Sequence, residues 1–182
     1  MPHSIEKIKS TLIGGGARPN LFQVDLTSFP GSGDASYSSD NFSILCKAAQ
    51  LPASNVASID VPFRGRILKI AGDRTFDTWT VTVINDTDFA IRGAFEKWMN
   101  AINNVADATG ESNPLNYKSD AYVFQLNREG ETIRTYRFYD VFPTNVSQIE
   151  LSYDSSDTLE EFTVELQVQY WEAYGNGGDI TG

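Results

Sequence analysis

Apolar and polar residues alternate with period two along most of this chain, and a 3.6-residue period appears in two places. Between positions 76 and 84, Trp79, Val81 and Val83 alternate with Thr78, Thr80 and Thr82. That is the signature of a half-buried strand rich in β-branched residues. Similar alternation predicts strands over 20–26, with Leu21 or Phe22 inward, and over 41–48, with Phe42, Ile44 and Cys46 on one face. The serine- and glycine-rich separator between them, 27–40, reads as loop. The second half predicts strands over 119–126, 132–139, 146–153 and 161–171, with turn chemistry at Asn127-Arg128-Glu129-Gly130 and Asp154-Ser155-Ser156-Asp157. The last would be the longest, reaching roughly 35 Å. It sets Phe162, Val164, Leu166, Val168 and Tyr170 on one face and Thr163, Glu165, Gln167 and Gln169 on the other, with Trp171 falling on the polar side.

Helical spacing marks two segments. Ile91, Phe95, Trp98, Met99 and Ile102 follow the start cluster Asn85-Asp86-Thr87-Asp88, predicting an amphipathic helix over 88–104 whose early acids suit the positive helix end. Ile5, Ile8 and Leu12 behind a Ser4 cap predict a short helix that Gly14-Gly15-Gly16 stops. So short a helix is marginal alone, so its apolar stripe needs a surface on its own barrel or on a neighbouring subunit. Many strands and one central helix give a mainly β fold, two packed antiparallel sheets or a split β-barrel. The expected partition is an amphipathic arm and glycine hinge over 1–16, a β-barrel domain over 17–171, and a flexible C-terminal tail over 172–182.

Length and composition fit that reading: 182 residues, 41% hydrophobic and 12% aromatic, suffice for one packed core. The 14 basic against 24 acidic residues give a net charge of −10, which repels rather than grips nucleic acid. One cysteine, Cys46, excludes an intrachain disulfide, and with one histidine, His3, no Cys/His zinc site can form. No apolar run reaches the roughly 20 residues of a membrane-spanning helix, and the N-terminus lacks a signal-type apolar region, so cytoplasmic synthesis is expected without insertion into a membrane.

Catalytic patterns are weak. A Ser-His-Asp site would have to recruit His3 from the arm. Gly14-Gly15-Gly16 lacks the Lys-Ser/Thr that reaches phosphates and magnesium. Asp86-Thr87-Asp88 begins like a calcium loop but has Ala90 and Ile91 where an oxygen ligand and a glycine belong. Paired carboxylates for a hydrolase are always available among 24 acids and carry no signal. Cys46 reads as inert packing, Trp79 and Trp98 as core, and Trp171 as the one tryptophan suited to an intersubunit or ligand contact. No cofactor is expected.

Charge is unevenly placed. From 47 to 74, Lys47, Arg64, Arg66, Lys69 and Arg74 stand against Asp60 and Asp73, giving +5 − 2 = +3; from 150 to 182 there are eight acids and no base, giving −8. Such polarity suits head-to-tail self-association. Segment 49–73, with Ile59, Val61, Phe63, Ile67 and Ile70, prolines at 52 and 62 and Gly65 at a turn tip, reads as an extended hairpin completed on another subunit.

Several blocks are more specific than any pattern: Ala17-Arg18-Pro19-Asn20-Leu21-Phe22-Gln23-Val24, Cys46-Lys47-Ala48 with Leu51-Pro52-Ala53, the run Ile70-Ala71-Gly72-Asp73-Arg74-Thr75-Phe76-Asp77-Thr78-Trp79-Thr80-Val81-Thr82-Val83, Phe142-Pro143-Thr144-Asn145-Val146, and Tyr170-Trp171. In this order they resemble the tail tube proteins of contractile-tailed bacteriophages over about 17–171, with a longer separator at 27–40 and a glycine-rich C-terminal extension as departures. The resemblance implies a non-enzymatic virion protein, assembled in the host cytoplasm. Six copies would close into a ring by sheet continuation, and rings would stack head to tail into a tube. Its implied partners are further copies of itself, the sheath, tape measure, baseplate and tail terminator proteins, and DNA that passes through without specific binding. Related tubes, including the haemolysin-coregulated protein of type VI secretion, share the implied fold. On this reading the 49–73 hairpin reaches the adjacent ring, with Arg64, Arg66, Lys69 and Arg74 as stacking residues, and the Thr163, Glu165, Gln167, Gln169 face lines the lumen. Alternatives are the tube of a phage-like injection particle, a monomeric acidic β-sandwich that binds carbohydrate, and a carboxylate-dependent hydrolase.

Overall fold

A computed structural model of the chain describes residues 4–12, 15–31, 39–175 and 178–179. His3, Ile13 and Gly14 of the arm, positions 32–38 of the separator and positions 176–177 and 180–182 of the terminal extension lie outside the described residues. The strand order is β1-β6-β7-β8-β5-β2, with β9 also paired to β7 and a two-residue β10, Gly178–Asp179, paired to β9. One layer comprises β1 (Phe22–Leu26), β6 (Ser119–Leu126), the first half of β7 (Thr132–Val146) and β9 (Tyr170–Gly175). The other comprises the second half of β7, β8 (Glu161–Gln167), β5 (Trp79–Ile84) and β2 (Cys46–Ala49). All these pairings are antiparallel.

The two layers share a corner. β7 bends at Asp140, which adopts φ 55°; Arg134 to Tyr139 pair with β9, and Phe142 to Val146 pair with β8. On the companion strand the same corner falls at Val168 and Gln169, where the Gln169 N–H donates to the Tyr139 carbonyl at 3.2 Å. The expected single strand over 161–171 is therefore two strands in different layers. The break shifts parity: Val168 and Ala173 are buried, Trp171 turns inward and Tyr170 outward. Both residues thus exchange the faces that strict alternation gave them.

Between the layers Trp79 of β5 stacks on Phe138 of β7, ring centroids 4.7 Å apart, both fully buried. At one side α3 (Ala90–Ile102) buries Ile91, Ala94, Phe95 and Trp98. Phe95 and Trp98 meet Phe29 edge-on at 5.1 and 6.1 Å, and Phe42 completes the cluster. The Trp98 indole N–H donates to the Tyr117 carbonyl at 2.6 Å, which satisfies the polar edge of an otherwise apolar ring. Asp86 Oδ1 accepts from the Ala90 N–H at 3.0 Å, but the helix begins two residues later than expected, its N-cap position is Phe89, whose side chain makes no cap hydrogen bond, and no acid lies in its first turn. Gly31 passes so close to α3 that a Cβ there would lie 2.5 Å from the Ala101 Cβ, which fixes glycine at that point of the separator.

One expected strand is cut to its last residues and another is absent beyond its first. Residues Ser39–Leu45 form helix α2, and β2 is only the four residues after it. Phe42 in the helix and Cys46, the first residue of β2, face the core, whereas Ile44 is 78% exposed. The run 146–153 is loop beyond Val146, and β7, not the C-terminal strand, is longest at fifteen residues. Two further helices are short: α1 (Ile5–Thr11) and α4 (Pro114–Tyr117). β9 extends to Gly175, so Glu172 to Gly175 of the expected tail are strand.

Candidate assembly surfaces

The hairpin of β3 (Ser54–Phe63) and β4 (Arg66–Phe76) stands outside both layers, its strands exposed along almost their whole length. Arg64 and Gly65 close it with φ 46° and 80°, a left-handed pair that matches the right-handed strand twist and explains the glycine. Register pairs Ile59 with Ile70, Val61 with Leu68 and Phe63 with Arg66. Directly opposed residues share a face, so Ile59, Val61, Phe63, Leu68 and Ile70 form one continuous stripe, while Ile67 opposes Pro62 on the other side. The reverse face carries Asp60 opposite Lys69, joined at 3.2 Å. At its base Phe76 meets Trp171 edge-on at 6.1 Å, and Tyr136 holds the other flank of that ring at 5.9 Å.

The four expected stacking residues do not form one cluster. Arg64 is at the tip, 5.3 Å over the Phe63 ring; Arg66 opposes Phe63, Lys69 is tied to Asp60, and Arg74 pairs in register with Val56 near the base. The expected lumen residues do share a face up to the corner: Thr163 and Gln167 are half-buried and Glu165 is exposed, while Gln169 is exposed at the corner itself. Thr80 and Thr82 of β5 pair with Glu165 and Thr163, extending a small, polar, acidic surface.

A groove of about 1000 Å³ lies between the 147–160 loop and the start of α3. Its apolar lining includes Phe89, Ile149, Leu151 and Leu159, and Glu150 and Glu160 also line it. Sequence reading missed it because Ile149, Leu151 and Tyr153 alternate like a strand. The available signal was three large apolar residues within an acidic run.

Helix α1 buries none of its residues; Ser4 caps it, and Ile5, Ile8 and Leu12 are more than half exposed. β1 and β2 each pair on one side only, leaving open sheet edges among the described residues. Cys46 is buried, and burial pushes its thiol pKa up to about 12, which makes it inert packing rather than a nucleophile. Lys47 donates to Glu161 at 2.6 Å. On the outer face of the first layer Arg137 bonds Asp120 at 2.8 Å and stacks 4.3 Å over the Tyr139 ring. Tyr139 is hydrogen-bonded to Tyr174 and Glu172, which raises its pKa. No group of three His, Cys, Asp or Glu residues suited to a metal is found among the described residues.

The sequence family described as phage tail tube protein matches residues 17–174. The chain belongs to the phage tail tube protein family. It is 39% identical over 160 residues to the tail tube protein gp19 of Enterobacteria phage T4, covering 87% of this chain and 93% of that one. The tail tube protein of Serratia phage KSP90 is 27% identical over 160 residues, covering 88% and 89%. In fold, the tail tube chain resembles a chain in the anti-feeding prophage tube-terminating cap, with TM-score 0.63 and 17% identity over 88% of this chain and 91% of that one. It also resembles a chain in the sheath/tube terminator of the PVC extracellular contractile injection system, with TM-score 0.61 and 14% identity over 88% and 97%. As a tail tube protein it is a structural component of the virion.

Proposed function

We propose that six copies of this chain close into a ring, that rings stack head to tail into the inner tube of a contractile tail, and that the tube holds the tape measure protein before conducting DNA. The sheath surrounds it, and baseplate and terminator proteins meet its ends. The protein performs no catalysis and is assembled in the host cytoplasm. The observation that carries this reading is the hairpin: two strands of ten and eleven residues exposing a continuous apolar face that nothing in the described chain covers. Monomeric proteins rarely leave such a surface in water. The open edges of β1 and β2 support lateral pairing, since ring closure removes edges that would otherwise aggregate. A lateral contact that closes gives a ring, whereas an axial contact that does not close gives a filament.

In such a ring the layer carrying Thr163, Glu165 and Gln167 lines the lumen, and six copies bring a formal 6 × −10 = −60 per ring. At physiological salt that field is screened beyond about 8 Å, so it acts where a narrow wall meets the DNA and keeps phosphates from adhering. Electron microscopy of the purified full-length protein over rising concentration tests the reading. Rings or tubes are expected, and replacing 57–73 by a short turn should abolish stacking while leaving the melting temperature of the core unchanged. A monodisperse 20.2 kDa particle at every concentration would overturn it.

A further inference from the structure

The cationic hairpin and the acidic groove sit at opposite ends of the same strands. β5 starts at Trp79, where the hairpin leaves the sheet, and ends at Ile84, which pairs with Glu161 at the groove. Its six residues span roughly 20 Å, while the ten residues of β3 carry the tip roughly 33 Å from the hairpin base. A hairpin that continues the strand direction away from β5 carries its tip away from its own groove and toward the next molecule.

The two surfaces also match chemically. Residues 149–161 contain five acids and no base. Arg92 is also in the groove, but its charge is committed: Nε donates to Glu96 at 2.9 Å and Nη1 to the Ser147 carbonyl at 3.1 Å. Glu161 is held by Lys47, whereas Glu150 is exposed and makes no ion pair among the described residues. Phe89, in the groove wall, holds φ 53°, a left-handed conformation that L-residues rarely adopt, and it does so with 48% of its surface exposed. At the hairpin tip Phe63, Ile67 and Leu68 are at least 60% exposed, and Arg64 and Arg66 make no ion pair among the described residues.

We propose that the groove is the seat of the hairpin tip from a second copy of this chain, with Phe63 against the Phe89, Leu151 and Leu159 wall and Arg64 and Arg66 facing Glu150 and Glu160. This rests on the tube reading and names the surface that receives the hairpin. The occupant is another copy because the two surfaces are complementary in charge and lie at opposite ends of one sheet. A contact between them is heterologous and repeats along an axis without closing.

The test uses the full chain. Cys46 is buried, so Phe63→Cys with Leu151→Cys introduces the two reactive thiols; oxidised tubes should give a ladder of covalent oligomers that either single variant lacks. Arg64→Glu with Arg66→Glu should raise the concentration needed for tube formation at least about tenfold, and adding Glu150→Arg to that chain should recover most of the loss. Melting curves check that the charge variants fold; if one does not, Arg64→Ser with Arg66→Ser takes its place. Tubes indifferent to these charges and yielding no cross-link would overturn the seat while leaving the tube reading intact. Cross-linking of Ile8→Cys to Leu151→Cys would give the groove to α1 and overturn it equally. Failure of the unaltered chain to assemble would remove both readings.

Discussion

Cys46 shows how burial turns a reactive group into a structural one. Its thiol lies among apolar side chains, 3.6 Å from the Ala48 carbonyl, with its pKa raised from 9.0 to about 12. Below pH 9 the folded and unfolded states both hold the proton, so stability is unaffected. Between 9 and 12 the unfolded thiol ionises and the folded one does not, so the unfolded state binds fewer protons and stability falls as pH rises. Urea midpoints should therefore drop from pH 8 to pH 10.5, and Cys46→Ala should flatten part of that slope; an identical slope in the variant would place the titration elsewhere. Asp140 illustrates a different case, a backbone demand at a half-buried corner. At φ 55° it turns β7 from one layer to the other, so Asp140→Gly should be tolerated while Asp140→Val should cost about 1–3 kcal/mol in chemical denaturation. Its ion pair with Lys118, at 3.8 Å, is too long and exposed to dominate that difference.

Strands whose alternation faces the core along their whole length were legible from sequence: β5 and β6 coincide with their alternating runs within a few residues. Failures cluster where one pattern serves two structures. Phe42, Ile44 and Cys46 alternate like a strand, but the Phe29, Phe95 and Trp98 rings supply an apolar site that a helix presents Phe42 to. Phe29 itself was hidden in a run of turn-forming residues. At the C-terminus, alternation over 161–171 gave no sign of the corner, because the Val168-Gln169 break inserts no glycine or proline. The consequence is testable by truncation. β9 pairs with β7 over Arg134 to Tyr139 and buries Ala173 completely, so ending the chain after Trp171 should lower the melting temperature markedly and expose Trp171. Ending it after Gly175 should leave the melting curve close to that of the full chain; equal loss in both would mean that β10 supports the sheet.

At the scale of the whole molecule, the proposed tube assigns charge polarity and exposed apolar surface to assembly rather than to the stability of one chain. Glu165 is exposed beside Thr80 with no ion pair among the described residues, so Glu165→Lys should leave the melting curve unchanged. If its face lines the lumen, tubes of this variant should retain short DNA at low salt and release it as salt rises, whereas unaltered tubes should retain none; retention by neither would place Glu165 outside the channel. The sequence by itself determined the β-rich class, the amphipathic α3, the projecting hairpin and the family, because these depend on local periodicity and on runs of specific residues. Tertiary structure alone decided the rest. The corner at Asp140 and Gln169, the switch of 39–45 to helix and the groove between α3 and the 147–160 loop arise where residues far apart in the chain compete for one space, and local pattern is silent about such competition. The hairpin register belongs to the same class: only the pairing of Ile59 with Ile70 and Val61 with Leu68 turns scattered apolar residues into a surface with a direction.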